Sequence, residues 1–223
     1  MLDQFTPALR ERYQLEIIVS DGGSTDRTVA LAETVADKVV LHREQRRQTI
    51  AEGRNAGAAA AAGEVFVFLN ADTRFENPER FFSILVRTLE DPRVVAATCA
   101  IHVFPEEEKP VDRAFHFVHN AYCRFLNLIG DGMARGECHI VRRSVFEALG
   151  GYNQAMAAGE DYDLFRRLRR QGKIVFLPGV VLYESPRRFR EYGYTRVVAM
   201  WTKNALAVIR KNRSDSDHWE PVR

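Results

Sequence analysis

Short runs rich in Val, Ile and Phe recur along the first half of the chain, and they constrain the fold more than any other feature. They occur at 15–20, 38–42, 64–70 and 94–104, separated by stretches typical of helices or by polar loops. Strands that alternate with helices favour an α/β fold in which a mostly parallel sheet is covered on both faces. Ligands bind beyond the carboxyl ends of such strands, so the polar loops there are the expected place for a site.

After residue 104 the alternation gives way to a different pattern. A charged stretch at 105–112 is predicted to be an exposed turn, and 113–129 to be an amphipathic helix. The other predicted elements are strands at 135–143, 173–177 and 180–184, a short helix capped by Ser144, and a helix within 158–172. No internal repeat or Pro-rich linker interrupts the chain, so we expect a single domain over 1–223.

Composition excludes several classes of protein. Of the 223 residues, 46% are hydrophobic and 28% charged, which is typical of a soluble globular chain and not of a disordered or collagen-like one. The net charge of +2 gives no reason to expect nucleic-acid binding. Cys99, Cys123 and Cys138 form no CxxC pair, so we expect buried thiols in a reducing, cytoplasmic compartment. Neither a signal peptide nor a membrane span is predicted.

Two acidic positions follow predicted strands of the first half. Asp21 comes directly after the run 15–20 and could accept hydrogen bonds from a nucleoside, although a turn Asp is the simpler interpretation. Asn70 and Asp72 end the strongest strand, and period-two geometry predicts that both side chains point to one side. Mg²⁺ and Mn²⁺ take oxygen ligands, usually together with substrate phosphates, so Asp72 is a candidate metal ligand. Helix capping is the alternative for Asp72.

A second acidic pair, Glu160 and Asp161, precedes a basic helical stretch and follows Gly159. Carboxylates are favoured at helix N-termini, so capping is a serious alternative to a chemical role. A carboxylate at the junction of a loop and a helix can also reach a hydroxyl group and remove its proton. Asp161 is therefore a candidate general base.

The C-terminal stretch is strongly basic. Residues 186–213 contain eight Lys and Arg residues against Glu191 alone, and apolar residues around Trp201 recur at helical spacing. A basic amphipathic helix can lie on an anionic membrane surface. It could also close a cleft, form a homodimer or pack on the domain with a solvated basic face. Peripheral contact with the inner face of the membrane and dimerisation therefore both stay open.

Five motifs, taken in order, resemble family-two glycosyltransferases of the GT-A fold. They are EIIVSDGGSTDRT at 16–28, GRNAG at 53–57, LNADTR at 69–74, RRSVFEALGGY at 142–152 and GEDYDL at 159–164. The resemblance extends over 15–223 and implies a Rossmann-like, mostly parallel nucleotide-binding sheet with a mixed acceptor-side half. It divides the domain into a donor and metal half at 1–104, an acceptor half at 105–185 and a basic helix and tail at 186–223.

The resemblance also implies an activity. It is the inverting transfer of a sugar from a UDP- or GDP-linked donor to a hydroxyl of a saccharide or lipid-linked acceptor, assisted by Mn²⁺ or Mg²⁺. Asp21 matches the acid that contacts the nucleoside, and Asp72 matches the last acid of the metal-binding DxD motif. Asp161 matches the general base, and Glu160 would help to orient the acceptor.

Other positions match the donor site of the family. Arg54 and Asn55 match the turn that supports the donor, while Asn70 stands in place of the first DxD acid and offers a carbonyl oxygen. Guanidinium groups suit phosphate geometry, although an arginine is more often simply solvated at the surface. The candidate diphosphate contacts are Arg46, Arg47, Arg187 and Arg188.

Two further departures from the family pattern shape the expectations. Gly22 replaces an acid that often follows Asp21, and the chain begins inside the helix that follows the usual first strand. A missing strand would leave unpaired sheet edges. The missing strand and Asn70 favour the alternative function, a non-catalytic GT-A-like nucleotide-binding or scaffolding protein. A nicotinamide enzyme is not predicted, because no GxGxxG follows a strand.

Overall fold

The structure is a computed structural model, and it describes residues 1–211 of the chain. Its strands are β1 (Ile18–Asp21), β2 (Lys38–Leu41), β3 (Val65–Leu69), β4 (Thr73–Phe75), β5 (Val94–Val103), β6 (Cys138–Arg142) and β7 (Lys173–Glu184). Its α-helices are α1 (Pro7–Tyr13), α2 (Thr28–Glu33), α3 (Ile50–Ala60), α4 (Pro78–Leu89), α5 (Pro110–Ile129), α6 (Arg143–Ala148), α7 (Glu160–Arg169), α8 (Arg187–Tyr192) and α9 (Tyr194–Lys211). Arg213 and the rest of the predicted tail lie outside the described residues.

The strands form two sheets. β1 and β2 pair in parallel, and the second sheet has the order β3-β6-β5-β7-β4. In the second sheet β5 and β7 are parallel, whereas the other neighbours are antiparallel. Among residues 1–211, β1 pairs only with β2 and β3 only with β6, so each has one edge without a neighbouring strand, as expected. Both strands line one large cleft.

β5 lies at the centre of the second sheet because it is apolar on both faces. Nine of its ten residues are buried, as in strands that are covered on both sides. α4 packs on one face of the sheet through Phe81 and Phe82, and α7 packs on the other through Leu164 and Phe165. The packing of α7 holds its N-terminus, and with it Glu160, at the wall of the cleft.

A turn follows β3 where the sequence predicts that the strand continues. The chain leaves the strand at Leu69, and the hydroxyl of Thr73 donates a hydrogen bond to the carbonyl of Asn70 at 2.7 Å. β4 then pairs with β7, where only a loop was expected. Period-two geometry therefore does not orient Asn70 and Asp72, and that argument was wrong. Both residues nevertheless line the cleft.

Two predictions for the second half also need correction. The strands expected at 173–177 and 180–184 are one strand, β7, because Pro178 and Gly179 shift its register against β5 without ending it. Ser144 does not cap α6, since the helix begins one residue earlier. Both errors concern the ends of elements whose type was predicted correctly.

α5 is longer than predicted and anchors the C-terminal helices. It begins at Pro110, so Asp112, expected in an exposed turn, is fully buried. The carboxylate of Asp112 accepts hydrogen bonds from Arg190 of α8, at 2.7 Å, and from Tyr194 of α9. Because a buried carboxylate is costly unless it is paired, these contacts attach α8 and α9 to α5.

The cysteines are buried and form no disulfide, as predicted. Burial raises the pKa of Cys123 to about 12, so its thiol stays protonated at neutral pH. In residues 1–211, no helix combines the length and apolar character that crossing a bilayer requires.

Candidate functional site

A cleft of about 2070 Å³ is lined by both sheets and by residues of α5, α7 and α9. Its walls include Asn70 and Asp72 beyond β3, Glu160 and Asp161 at the start of α7, and Arg187 at the start of α8. The fold therefore brings Asp72 into one cleft with Glu160 and Asp161, although they lie far apart in the sequence. Asp21 and Asn55 do not line it.

Arg54 of α3 connects Glu160, at the start of α7, to Asn70, beyond β3. One guanidinium nitrogen, Nη1, donates to Glu160 Oε1 at 3.1 Å. The other, Nη2, donates to Asn70 Oδ1 at 3.2 Å and to the carbonyl of Gly136 at 2.5 Å. Because a guanidinium group is planar and its donors are fixed, Arg54 sets the position of Glu160 relative to Asn70.

The carboxyl groups of Glu160 and Asp161 both have raised pKa values. Burial and the charge of Asp161 raise the pKa of Glu160 well above its usual range, although Arg54 opposes this. Burial also raises the pKa of Asp161. Asp161 Oδ1 accepts a hydrogen bond from the backbone of Tyr162 at 2.8 Å, and a Cβ at Gly136 would lie 3.6 Å from Oδ2. Asp161 Oδ1 is thus engaged by the backbone, and Oδ2 lies close to Gly136.

Asp21 is engaged within its own turn. Its carboxylate accepts hydrogen bonds from the backbone N–H groups of Gly23 and Ser24, at 2.9 and 2.8 Å, and from the Ser24 hydroxyl at 2.5 Å. Burial opposes ionisation, but these hydrogen bonds hold the pKa of Asp21 below its usual range. The structure thus places Asp21 as the simpler interpretation expects, and its contact with a nucleoside stays a prediction.

Asn55 supports a distant turn. Its Nδ2 donates to the carbonyl of Tyr152 at 2.8 Å, and the Tyr152 N–H donates to its Oδ1 at 2.9 Å. Gly151 has a φ of +70°, and a Cβ there would approach Asn55 Oδ1 to 2.6 Å, so the turn requires glycine. These contacts join the GRNAG motif to the GGY motif, and they leave the donor-binding role of Asn55 a prediction.

Asp72 has the surroundings of a weak cation ligand. It is 45% exposed, and its Oδ2 accepts from Arg187 at 3.0 Å. In the part of the chain that the structure describes, no group of three or more His, Cys, Asp or Glu side chains could hold a metal ion. Asn70 Oδ1 already accepts from Arg54 Nη2, so a hard cation at Asp72 would take its other ligands from phosphate and water. These residues therefore fit Mg²⁺ or Mn²⁺ only together with a bound diphosphate.

The four candidate arginines fall into two groups. Arg187 and Arg188 line the cleft, whereas Arg46 and Arg47 are exposed and do not. Arg46 pairs with Glu52 at 2.7 Å, and Glu52 caps the start of α3. Only the C-terminal pair is placed to meet a ligand in the cleft.

A buried charged cluster around Arg135 lines the same cleft and was missed by the sequence analysis. Arg135 donates to His116 Nδ1 at 2.7 Å and forms ion pairs with Glu184 and with Glu137, the latter at 3.2 Å. Burial and the charge of Arg135 lower the pKa of His116 to about 2, so its imidazole is neutral. The available signal was charge at strand ends, since Arg135 and Glu137 precede β6 and Glu184 ends β7.

Comparison with known proteins gives one family and several relatives. A family model described as "Glycosyl transferase family 2" matches residues 1–150. The O-antigen chain rhamnosyltransferase WbaN of Salmonella anatum is 27% identical over 165 residues, which are 70% of this chain and 52% of the relative. The succinoglycan biosynthesis protein ExoA of Rhizobium meliloti (strain 1021) is 23% identical over 216 residues, 88% of this chain and 63% of the relative. The chain thus spans less than two thirds of either relative.

Solved structures share the fold. The mannosyltransferase PcManGT from Pyrobaculum calidifontis, in complex with GDP-Man and Mn²⁺, superposes with a TM-score of 0.65 at 23% identity. The match covers 91% of this chain and 57% of that one. The predicted α/β fold of GT-A type is confirmed.

Proposed function

The chain belongs to glycosyl transferase family 2, and we propose that it transfers a sugar from a nucleotide diphosphate donor to an acceptor hydroxyl with inversion at the anomeric carbon. Family membership and the glycosyltransferase relatives favour this over the non-catalytic binding or scaffolding alternative. The observation that carries the proposal is the Glu160–Asp161 pair, whose pKa values are raised and which faces the same cleft as Asn70 and Asp72.

Asp161 acts as the general base in this proposal. The acceptor oxygen attacks the anomeric carbon from the face opposite the diphosphate, and its proton passes to Asp161 Oδ2. The new carbon–oxygen bond forms as the bond to the diphosphate oxygen breaks, so the configuration inverts. A raised pKa makes the Asp161 carboxylate a stronger base than an ordinary Asp.

Glu160 and Arg54 support the base. Glu160 orients the acceptor through its carboxyl group, and Arg54 positions that group through the contact at 3.1 Å. Since Arg54 also contacts Asn70, a movement of Asn70 at the donor end would displace Arg54 and with it Glu160 at the acceptor end. Arg54 is thus a positioning residue for both ends.

The donor end would hold the diphosphate. Arg187 and Arg188 are the proposed phosphate contacts, and Asp21 the proposed nucleoside contact. Asp72 would hold a divalent cation, Mn²⁺ or Mg²⁺, which would neutralise charge on the departing diphosphate when bound, and Asn70 stays a proposed donor contact. The structural neighbour solved with GDP-Man and Mn²⁺ supports a nucleotide-linked donor and a metal, and the choice between UDP and GDP stays a prediction.

The relatives also bear on the acceptor. One is a transferase of the O-antigen chain and one a protein of succinoglycan biosynthesis, which supports a saccharide or a lipid-linked saccharide as acceptor. A cytoplasmic location, peripheral contact with the membrane, a homodimer and the absence of nucleic-acid partners stay predictions.

The Asp161→Asn variant tests the proposal. Amide in place of carboxylate removes the base, so release of nucleoside diphosphate from UDP- or GDP-sugars should fall roughly 10²–10⁴-fold. Binding of UDP or GDP with Mn²⁺, measured by calorimetry, should be kept. Asp91→Asn, a change at the surface beside Arg93, is the matched control.

Two results would count against the proposal. Turnover of the Asp161→Asn variant at the wild-type rate would refute the base assignment. A wild-type chain that neither binds nor turns over any UDP- or GDP-sugar would favour the non-catalytic alternative.

A further inference from the structure

Helix α5 buries three polar residues and exposes a series of apolar ones. Asp112, His116 and Asn120 are buried against the rest of the protein. The exposed apolar side chains, which we call the outer face of α5, are Val111, Phe117, Val118, Tyr122, Phe125, Leu128 and Ile129. Phe117 and Leu128 are 72% and 82% exposed, so no described residue covers them. A helix with apolar side chains facing away from its own protein is normally covered there by something else.

The outer face of α5 is continuous along the helix. Val118, Tyr122, Phe125 and Ile129 follow one another at spacings of four and three residues and therefore lie on one side. Soluble proteins rarely expose a contiguous apolar surface of this kind unless it meets a partner. The outer face of α5 thus has the properties of a docking surface.

Helix α9 extends the apolar surface to the cleft. Trp201 of α9 stacks on His119 of α5, with ring centroids 5.2 Å apart. The exposed side chains of Val198 and Leu206 line the cleft together with Tyr122 of α5. An apolar surface therefore leads from the outer face of α5 into the cleft that holds the proposed base.

The charges on α5 and α9 indicate which partner would bind this apolar surface. α9 contains no acidic residue, and the single acid of α5, Asp112, is buried and paired with Arg190. Arg196, Lys203 and Arg210 are exposed and recur every seven residues, so they share one side of α9, which we call its basic side. Two copies docked with their α9 helices in contact would bring like charges together. Anionic lipid headgroups would instead neutralise them.

We propose that the outer face of α5 and the basic side of α9 bind the surface of an anionic lipid bilayer. The apolar side chains enter the headgroup region and the cations contact lipid phosphates, as in helices that lie in the plane of a membrane. The cleft then opens beside the bilayer and takes a lipid-linked acceptor. The identity of the acceptor rests on the proposed function, whereas the membrane contact does not.

Sedimentation of the full chain with vesicles, in the absence of donor and metal, tests the contact. One set of vesicles is phosphatidylcholine alone, and the other is phosphatidylcholine mixed with phosphatidylglycerol. The chain should sediment with the mixed vesicles, bind the neutral ones much more weakly, and lose binding as salt increases. Failure to sediment with the mixed vesicles at low salt would overturn the proposal.

Substitutions separate the apolar and charged contributions. The double variant Phe125→Ser/Leu128→Ser should bind mixed vesicles at least tenfold more weakly. Val86→Ser, which changes an exposed apolar residue on α4, should bind as the wild type does. Lys203→Glu/Arg210→Glu should remove the preference for anionic vesicles. Unchanged binding of the double Ser variant would refute the assignment to α5.

Light scattering tests the alternative partner of α5, a second copy of the chain, by measuring the oligomeric state. A dimer that Leu128→Ser dissociates, formed by a chain that does not bind vesicles, would overturn the proposal. Donor turnover measured without vesicles reports on the proposed function separately. A chain that turns over nucleotide sugars but ignores vesicles would refute the membrane contact and leave that function standing.

Discussion

The proposed donor end, with Asp21 and Asp72, differs from the proposed acceptor end, with Glu160 and Asp161, in how far along the chain the partners of the carboxylates lie. Asp21 is bound by residues two and three positions later, and Asp72 is half-exposed beside Arg187. Glu160 is buried, and its partner Arg54 is 106 residues away in the sequence.

The difference has a chemical consequence. Nearby backbone donors keep Asp21 a strong acid, whereas burial makes Glu160 and Asp161 weaker acids. Asp21, the proposed nucleoside contact, accepts hydrogen bonds most strongly when it stays ionised, whereas a general base requires appreciable proton affinity. Asp21 and the Glu160–Asp161 pair are therefore suited to different tasks.

The largest expected effect is at Arg54. Arg54→Leu leaves Glu160 buried without its partner, which should lower the free energy of unfolding by about 3 kcal/mol or more. Arg46→Leu is the matched control, because Arg46 also pairs with a glutamate but is exposed, and it should cost far less. Urea unfolding followed by circular dichroism measures both. Equal losses would mean that the acceptor end is no more dependent on buried charge than the protein surface.

Asp21→Ala should have a smaller effect on stability. It removes the hydrogen bonds to Gly23 and Ser24, and the free energy of unfolding should fall by about 2 kcal/mol at pH 7. Because the pKa of Asp21 is lowered in the folded protein, its contribution is present above the pKa of the unfolded chain and lost as pH falls through the folded pKa. The difference between wild type and variant should therefore shrink in acid. A difference that does not change with pH would argue against ionised Asp21.

The pH profile of transfer tests the acceptor end directly. Transfer needs ionised Asp161, and the ionised fraction falls about tenfold per pH unit below the pKa. Since burial raises the pKa of Asp161 and of Glu160, the acid limb of kcat/KM should lie above the range of ordinary carboxyl groups. Circular dichroism over the same range shows that the chain stays folded. A limb near pH 4 would place the base in water instead of in a buried site.

The contrast also explains what the sequence could predict. Side chains that hydrogen-bond to residues only a few positions away are recognisable as local sequence motifs. Examples are the turn of Asp21 and the cap that Thr49 and Glu52 form on α3. The apolar runs likewise predict the strands and helices, because side-chain periodicity is local. Residues of the acceptor end share a site only after α3, α7 and the sheets have packed.

The errors follow the same rule. β4 is three residues long and pairs with the far end of β7, so no local pattern reveals it. The ion pair between Arg135 and Glu184 joins positions 49 residues apart. Asp112 looked like part of an exposed turn because its partners, Arg190 and Tyr194, lie in helices much later in the chain.

The smallest change in stability is expected at Arg187, where the donor end is exposed. Its ion pair with Asp72 joins side chains that are 50% and 45% exposed, so Arg187→Ala should leave the unfolding free energy close to that of the wild type. If Arg187 instead contacts the diphosphate, the variant should bind UDP or GDP roughly tenfold more weakly in calorimetry, the loss of one charge-assisted hydrogen bond. Arg46→Ala, outside the cleft, should change neither binding nor turnover. If Arg187→Ala binds UDP or GDP with wild-type affinity, Arg187 forms only its surface ion pair with Asp72 and does not contact the diphosphate. Arg188 would then be the remaining predicted phosphate contact in the cleft wall.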